Sequence, residues 1–541
     1  MSSIDSWRKA LERHISRRRF VQAGAVGAAG VVLGAALGCR SETGNGGPPA
    51  AVKQASPAAT EPVRGGILRV VQPGDITPKT VVHTPSANGY YLLGGVYERL
   101  MHYRSDKLEA EPELAESWQF SADYQSLTLK LRRGVQFHTG RPFTSADVKW
   151  NLERVADPKT GASSMNMARL VQAIETPDES TAVLHFGQPC PSALDLFESI
   201  YIADSETLQE MEDGKRFVGT GPFTFKEWVP GDHFTLVRNP DYWQKGLPYL
   251  AEITARVLPD AQAQLLNLQT GAADVATSLE PRDIKDLQND EAYSLVINAV
   301  TAAAWYVGVN VQMPPFGEKR VRQAVAYLLD RKRIVDTQLF FGQPTVLPWD
   351  KTSPAYTPEL ADKYQYNPTK AKDLLASAGV AEGTPASITI VAGQPSSLAI
   401  AELLQEELSK VGFKSTVEKL GTAEYVQKLN SAQFGGLWIS SVGSIHMSPS
   451  TLFLTSFTYR VPNSSNFDTP EYRKLIDDVL RTTDATELKN IYRQINELWL
   501  EECFVIPIAS VERPTVTTAK VKGLTINRSG RPVVLSAWKT T

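Results

Sequence analysis

Residues 305–330 decide the fold: Trp305-Tyr-Val-Gly-Val-Asn310, then Arg320-Val-Arg-Gln-Ala-Val-Ala-Tyr-Leu-Leu-Asp330. The first run, aromatic and β-branched, reads as a strand, and the second, with apolar residues recurring on one face, as an amphipathic helix. The same alternation continues toward the C-terminus. Ala371 to Gly379 reads as a helix closed by a glycine, Ser387 to Val391 as a strand and Ser397 to Val411 as a long helix. Two more helices are predicted over Pro470 to Arg481 and Leu488 to Trp499. Strand–helix alternation of this kind argues for α/β lobes. Toward the N-terminus, Gly65-Gly-Ile-Leu-Arg-Val-Val71 reads as a strand and Asn88 to Leu100 as a helix. Leu127 to Arg132 alternates apolar and polar, as a half-buried strand does, and Thr144 to Arg154 opens like a capped helix. No internal repeat is present.

A chain of 541 residues is too long for one hydrophobic core, so two or more domains are expected. Residues 1–39 hold six basic and two acidic groups, whereas the whole chain is at −3, so the body from Arg40 onward carries −7. An acidic body argues against a nucleic-acid partner, which requires a basic stripe. Cys39, Cys190 and Cys503 are too few for a disulfide framework and have no metal-ligand spacing. Cys190 and Cys503 read as two buried thiols rather than a bridge, and no metal or other cofactor is expected.

Ser16-Arg-Arg-Arg-Phe-Val-Gln22 is similar to a twin-arginine export motif, with Arg17 and Arg18 as the arginine pair. A weakly apolar Gly/Ala-rich run over 20–38 follows it, placed as in a signal peptide. Ala36-Leu-Gly-Cys39 resembles a lipobox whose Cys39 becomes the lipidated N-terminus, although Ala35 stands where Leu is usual. An ordinary cleavage site with an incidental cysteine is the alternative. Residues 40–63 are rich in Pro, Ala, Gly and Ser, the composition of a disordered tether.

Four blocks recur in a familiar order. They are Glu111 to Trp118 running into Leu131 to Val148; Gly219-Thr-Gly-Pro-Phe-Thr-Phe225 with Arg238-Asn-Pro-Asp-Tyr-Trp243; Asn310 to Phe316 with Arg320 to Val325; and Tyr366 to Leu375. Together they resemble the family 5 extracytoplasmic solute-binding proteins of ABC importers, the peptide/nickel/oligosaccharide-binding family, over about residues 64–530. The resemblance implies an α/β, two-lobed periplasmic-binding-protein fold (class II, cluster C-like) with an inserted domain and a hinge. Lobe I would comprise 64–103, 218–300 and 508–541, the insertion 104–217 and lobe II 301–507. It implies a binding protein rather than an enzyme. A solute would be captured between closing lobes and passed to ABC permease subunits, by a monomer held at the extracytoplasmic face of the cell membrane through a lipid.

In peptide-binding members a W-x-x-D stretch receives the peptide's amino group. Here it reads Trp438-Ile-Ser-Ser441, and the following Asp-Pro pair reads Ser448-Pro449. A buried ammonium needs a paired anion, which serine does not supply. The ligand is therefore expected not to be a peptide held by its N-terminus but an oligosaccharide or other polar solute; an oligopeptide-binding protein of the same family is the alternative. The expected ligand-binding residues are Tyr90, Tyr91, Trp305, Tyr306, Trp438, Ser441, His446 and Arg460. Trp438 reads equally as a stacking platform or a core residue, alternation lets one of Trp305 and Tyr306 face the cleft, and a lone histidine is more often structural. No G-x-S-x-G, HExxH or phosphate-binding glycine loop stands in a convincing context, which disfavours an exported hydrolase. A ligand-dependent sensor of the same fold would read identically.

Overall fold

The computed structural model describes residues 61–84, 86–298, 300 and 302–540. The export motif, Cys39 and the tether up to residue 60 lie outside the described residues. Three sheets organise the rest. A seven-stranded sheet takes its strands from distant parts of the chain, in the order Tyr293–Val296, Thr515–Thr518, Val275–Ala276, Ile67–Gln72, Glu252–Val257, His233–Arg238, Phe223–Val229. Ile67–Gln72 pairs in parallel with both of its neighbours, and the outer pairs are antiparallel. A five-stranded sheet runs Lys414–Leu420, Pro385–Val391, Leu437–Val442, Ala304–Val309, Val505–Ser510. A four-stranded antiparallel sheet is built from Ala115–Phe120, Ser126–Leu131, Thr181–Phe186 and Val171–Asp178.

The sequence patterns explain these elements. Ala304–Val309 is buried at every position because it lies centrally in the five-stranded sheet. The helix predicted beside it spans Lys319–Leu328, with its Val and Ala face in the core and Glu318 capping its start. The helix that follows strand Ser126–Leu131 of the four-stranded sheet, Ser145–Ala156, opens with a capping box in which the Thr144 N–H donates to Asp147 at 2.9 Å. Two boundaries differ from the patterns. The helix expected over Asn88–Leu100 stops at Val96, and Tyr97 turns extended so that Glu98 points inward. The strand Val505–Ser510 runs through the expected 507/508 boundary without a break. Cys190 and Cys503 are free, buried thiols, both pushed up to about 11 by burial.

The family-like blocks meet in space, and their side chains say why. Glu98 is buried, and its carboxylate accepts Thr220 Oγ1 at 2.8 Å, Tyr242 OH at 2.7 Å and Trp243 Nε1 at 3.0 Å. Gly219 and Gly221 let the chain pass against the end of the Tyr90–Val96 helix; a Cβ on Gly219 would stand 2.2 Å from the Val96 carbonyl oxygen. His138 is held by the same crossing, through its N–H to the Gly219 carbonyl and its Nε2 on the Gly221 carbonyl, both at 2.9 Å.

Candidate solute-binding cavity

After strand Leu437–Val442 the chain makes a tight turn, Gly443-Ser-Ile-His-Met447, with Ser444 at φ +64°. A second turn, Asn527-Arg-Ser-Gly-Arg531, faces it. This turn is closed by Arg531 N–H on Asn527 Oδ1 at 2.9 Å and by Gly530 at φ +78°. Arg528 reaches across, and its Nε donates to the His446 carbonyl at 2.6 Å. The helix Leu194–Ser199 brings a third wall. Its buried Asp195 accepts Ser448 N–H at 3.1 Å, Ser448 Oγ at 3.0 Å and Tyr103 OH at 2.5 Å, and also Thr451 Oγ1. Asn166 Nδ2 donates to the Leu454 carbonyl at 3.3 Å. The Asp195–Ser448 and Asn166–Leu454 bonds join segments more than 250 residues apart in sequence.

The partly open cavity measures about 310 Å³ and is lined by Tyr90, Ser163, Ser164, Met167, Ser199, Ala302, Ala303, Gly443, Ser444, His446, Met447, Thr455, Ser529 and Arg531. Its polar groups are hydroxyls, one imidazole and one guanidinium; no carboxylate lines it. His446 is 6% exposed; its ring nitrogens make no close hydrogen bond, and the Ala302 carbonyl is the backbone acceptor that acts on the ring. Burial pulls its pKa down to about 4; Glu198 works the other way, and Arg531 and Arg528 add to the fall. The imidazole is therefore neutral at pH 7, with one nitrogen a donor and the other an acceptor. Glu198 lies just behind the wall. Burial works to raise it, but Arg99 at 2.8 Å, the Ser529 hydroxyl and the Tyr103 N–H outweigh that and hold it below its ordinary value. A recess of about 440 Å³ beside Ser448 and Tyr492 is walled largely by proline, leucine and serine.

Of the residues singled out from sequence, the structure brings Tyr90 and His446 into this cavity. Tyr91 is buried in the apolar core under the seven-stranded sheet. Trp305 and Tyr306 are both buried in the five-stranded sheet, with Tyr306 OH 2.9 Å from Thr458 Oγ1. Trp438 is fully buried, lies over Gly308 of the next strand and stacks on Phe434 at 4.4 Å with 14° between the rings. Ser441 is exposed, opposite Trp305 on the sheet. Arg460 is half-buried, with its guanidinium 4.2 Å over the Phe457 ring. The serines, Met167, Met447 and Arg531 escaped the sequence reading. Arg531 and Tyr90 are far apart in the chain, and nothing in their spacing links them. Among the described residues no cluster of three or more His, Cys, Asp or Glu could hold a metal, and no helix is long and apolar enough to cross a membrane.

Comparison with known proteins agrees with this architecture. Residues 109–463 match the middle region of the bacterial extracellular solute-binding proteins, family 5. The chain is 28% identical over 466 residues to heme-binding protein A of Haemophilus influenzae, spanning 79% of this chain and 84% of that one. It superposes with a TM-score of 0.76 and 26% identity on the periplasmic binding protein AgaA of A. tumefaciens R10 in complex with agropinic acid, covering 88% of this chain and 99% of that one. The oligopeptide-binding protein AppA of Bacillus subtilis, in complex with a nonapeptide, has the same fold at 22% identity, with a TM-score of 0.75 over 89% of this chain and 100% of that one. With its mixed α/β sheets, its two-lobed relatives and a match across most of its body, this chain belongs to the family 5 extracytoplasmic solute-binding proteins of ABC transporters.

Proposed function

We propose that this protein captures a small polar solute in the cavity between the 443–447 and 527–531 turns, and that it delivers the solute to ABC permease subunits without performing chemistry on it. The observation that carries the reading is the cavity itself. Its walls come from three separate sheets' surroundings, and its closing bonds are polar contacts such as Asp195 on Ser448 and Arg528 on the His446 carbonyl. Polar contacts of this kind open at little cost, and hinge closure over a solute is a recurrent way to bury it. In this reading lobe I is 64–103, 218–300 and 508–541, the insertion is 104–217 and lobe II is 301–507, with the seven-, four- and five-stranded sheets at their respective centres. The monomer is exported through the Arg17–Arg18 signal and anchored by lipid at Cys39.

The solute is not a peptide gripped by its ammonium group. No carboxylate lines the cavity, and the stretch where such an acid is expected ends in Ser441. Native mass spectrometry on the body from Arg64, purified without denaturation, tests the capture. A bound small molecule, released on unfolding, is the expected result; a protein that remains empty after exposure to the extracellular medium of its host overturns the reading. Membrane fractionation tests the anchor: Cys39→Ala is expected to move the protein into the soluble extracytoplasmic fraction.

A further inference from the structure

Arg531 is held in a way that leaves one edge of its guanidinium unused. Two aromatic rings flank the side chain, Tyr90 with its centroid 5.5 Å from the guanidinium carbon and Tyr201 at 5.4 Å. One amino group, Nη1, donates to Tyr201 OH at 3.1 Å. The Nε–H is buried and has no acceptor, and among the described residues no carboxylate lies within ion-pair distance of this side chain. Glu198, the nearest candidate, is already occupied by Arg99, the Ser529 hydroxyl and the Tyr103 N–H. A buried donor left unpaired costs about 1–3 kcal/mol, and more on a charged group. A side chain so placed is unfavourable unless something absent from the protein completes it. The Nε and Nη2 donors of a guanidinium form a planar fork whose complement is the two oxygens of a carboxylate. The Tyr201 hydrogen bond and the two neighbouring rings restrict where that fork is presented.

The rest of the cavity describes the remainder of the ligand. Ser163, Ser164, Ser444 and Ser529 offer hydroxyls, and the neutral imidazole of His446, whose ring nitrogens make no close hydrogen bond, offers polar contacts of its own. Met167 and Met447 supply adaptable apolar walls. Nothing in the lining would neutralise a cation. On the reading that this cavity is the solute site, we propose that the captured solute is a small carboxylate rich in hydroxyl or other neutral polar groups and lacking a free ammonium. Its carboxylate docks on the Nε/Nη2 edge of Arg531 between Tyr90 and Tyr201, and its neutral part lies against the serines and His446.

The test begins with the solute that the wild-type protein, exposed to its host's extracellular medium, retains through gel filtration. The compound is released by unfolding and identified by mass spectrometry, and its affinity is measured by calorimetry beside that of its methyl ester, which has the same shape without the charge. The expected result is a carboxylic acid whose methyl ester binds at least 100-fold more weakly. Arg531→Gln is expected to lose most of the affinity for the acid, and Arg531→Lys, which keeps the charge but not the fork, to lose about tenfold. Far-ultraviolet circular dichroism and the unfolding midpoint of solute-free protein check that each variant folds; the ester comparison needs no variant. A retained solute without a carboxylate, or an ester that binds as well as its acid, overturns the assignment of Arg531 while solute capture stands. A wild-type protein that retains nothing overturns both.

Discussion

Glu98 and Arg531 line the same small cavity of about 150 Å³, one an acid and the other a base. The fold treats them differently. Glu98 is saturated: Thr220 and the adjacent Tyr242 and Trp243 donate to it, and each of its oxygens is occupied. Burial, with Glu113 adding to it, pushes its carboxyl up to about 8 in spite of those donors. Arg531 has two neighbouring rings and a single hydrogen bond from its guanidinium, and its Nε has no acceptor. A buried carboxyl group with all its hydrogen bonds made organises a fold, whereas a guanidinium with an unpaired donor at a cavity wall is arranged for something that comes from outside. The difference is physical, and each side of it is open to measurement.

The largest effect is expected at Glu98. Glu98→Ala strands the hydroxyls of Thr220 and Tyr242 and the indole N–H of Trp243 in the interior, a loss on the order of 4 kcal/mol. Urea unfolding reads it directly. Arg531→Gln in solute-free protein is expected to cost less, about 1–2 kcal/mol, because one hydrogen bond and two ring contacts are offset by removal of an unpaired buried donor. Equal costs at the two positions would make Arg531 a structural residue and dissolve the contrast.

Acid sharpens the comparison next. His446 sits at about 4 against an ordinary 6.5, so the closed state binds fewer protons there than an open or unfolded one. Its contribution to closure is complete above pH 6.5 and is lost as pH falls toward 4, amounting to at most roughly 3 kcal/mol. Solute affinity in the wild type is expected to weaken over that window, and His446→Gln to flatten the profile. The groups acting on His446 are Glu198, Arg531, Arg528 and the Ala302 carbonyl. Asp195 titrates in the opposite sense: burial raises it to about 6, so its contribution is lost as pH rises through 6. The difference between wild type and His446→Gln removes that background, along with His83 and His138, which burial likewise lowers to about 4.

A smaller effect belongs to the buried ring that sequence offered as a stacking platform. Trp438 lies flat over Gly308, where a Cβ would fall 2.0 Å from the indole Cε2. Gly308→Ala is expected to cost about 1–3 kcal/mol by overpacking, with the affinity of the folded protein for its solute unchanged. A large affinity loss at constant stability would return Trp438 to the binding site.

Much of the framework was legible because it is local or periodic. The Lys319–Leu328 helix and the Pro470–Arg481 helix follow apolar spacing and their caps, Glu318 and Thr469. The Gly219-Thr-Gly-Pro block signalled a close chain crossing, and the approach to Val96 is that crossing. The site was legible only where it neighbours such a block: His446 follows the Trp438–Ser441 stretch, and Tyr90 opens a helix. Arg531 and the serines carry no pattern because turns place them, and their chemistry arises from segments that meet only in the folded chain. An asparagine–glycine turn bearing two arginines, Asn527-Arg-Ser-Gly-Arg531, was the one available signal, and it was silent without its neighbours.

The smallest expected effect tests the exclusion of peptides. Ser441 is exposed, does not line the 310 Å³ cavity and faces the same side of the sheet as Trp305. A carboxylate placed there is solvated in both folded and unfolded chains, so Ser441→Asp is expected to shift stability by less than about 0.5 kcal/mol. An exposed acid attracts an ammonium by about 1 kcal/mol at most, too little to hold a peptide against the positive charge of Arg531. A dipeptide panel in a thermal-shift assay is therefore expected to leave both wild type and variant unmoved. A peptide-dependent rise in the melting point of Ser441→Asp alone would show that one missing carboxylate was the whole barrier to peptides, and that the cavity reaches the end of the Leu437–Val442 strand when a ligand is bound. A rise in the wild type would mean that a different acid receives the ammonium, with Glu198 behind the cavity wall as the first to mutate.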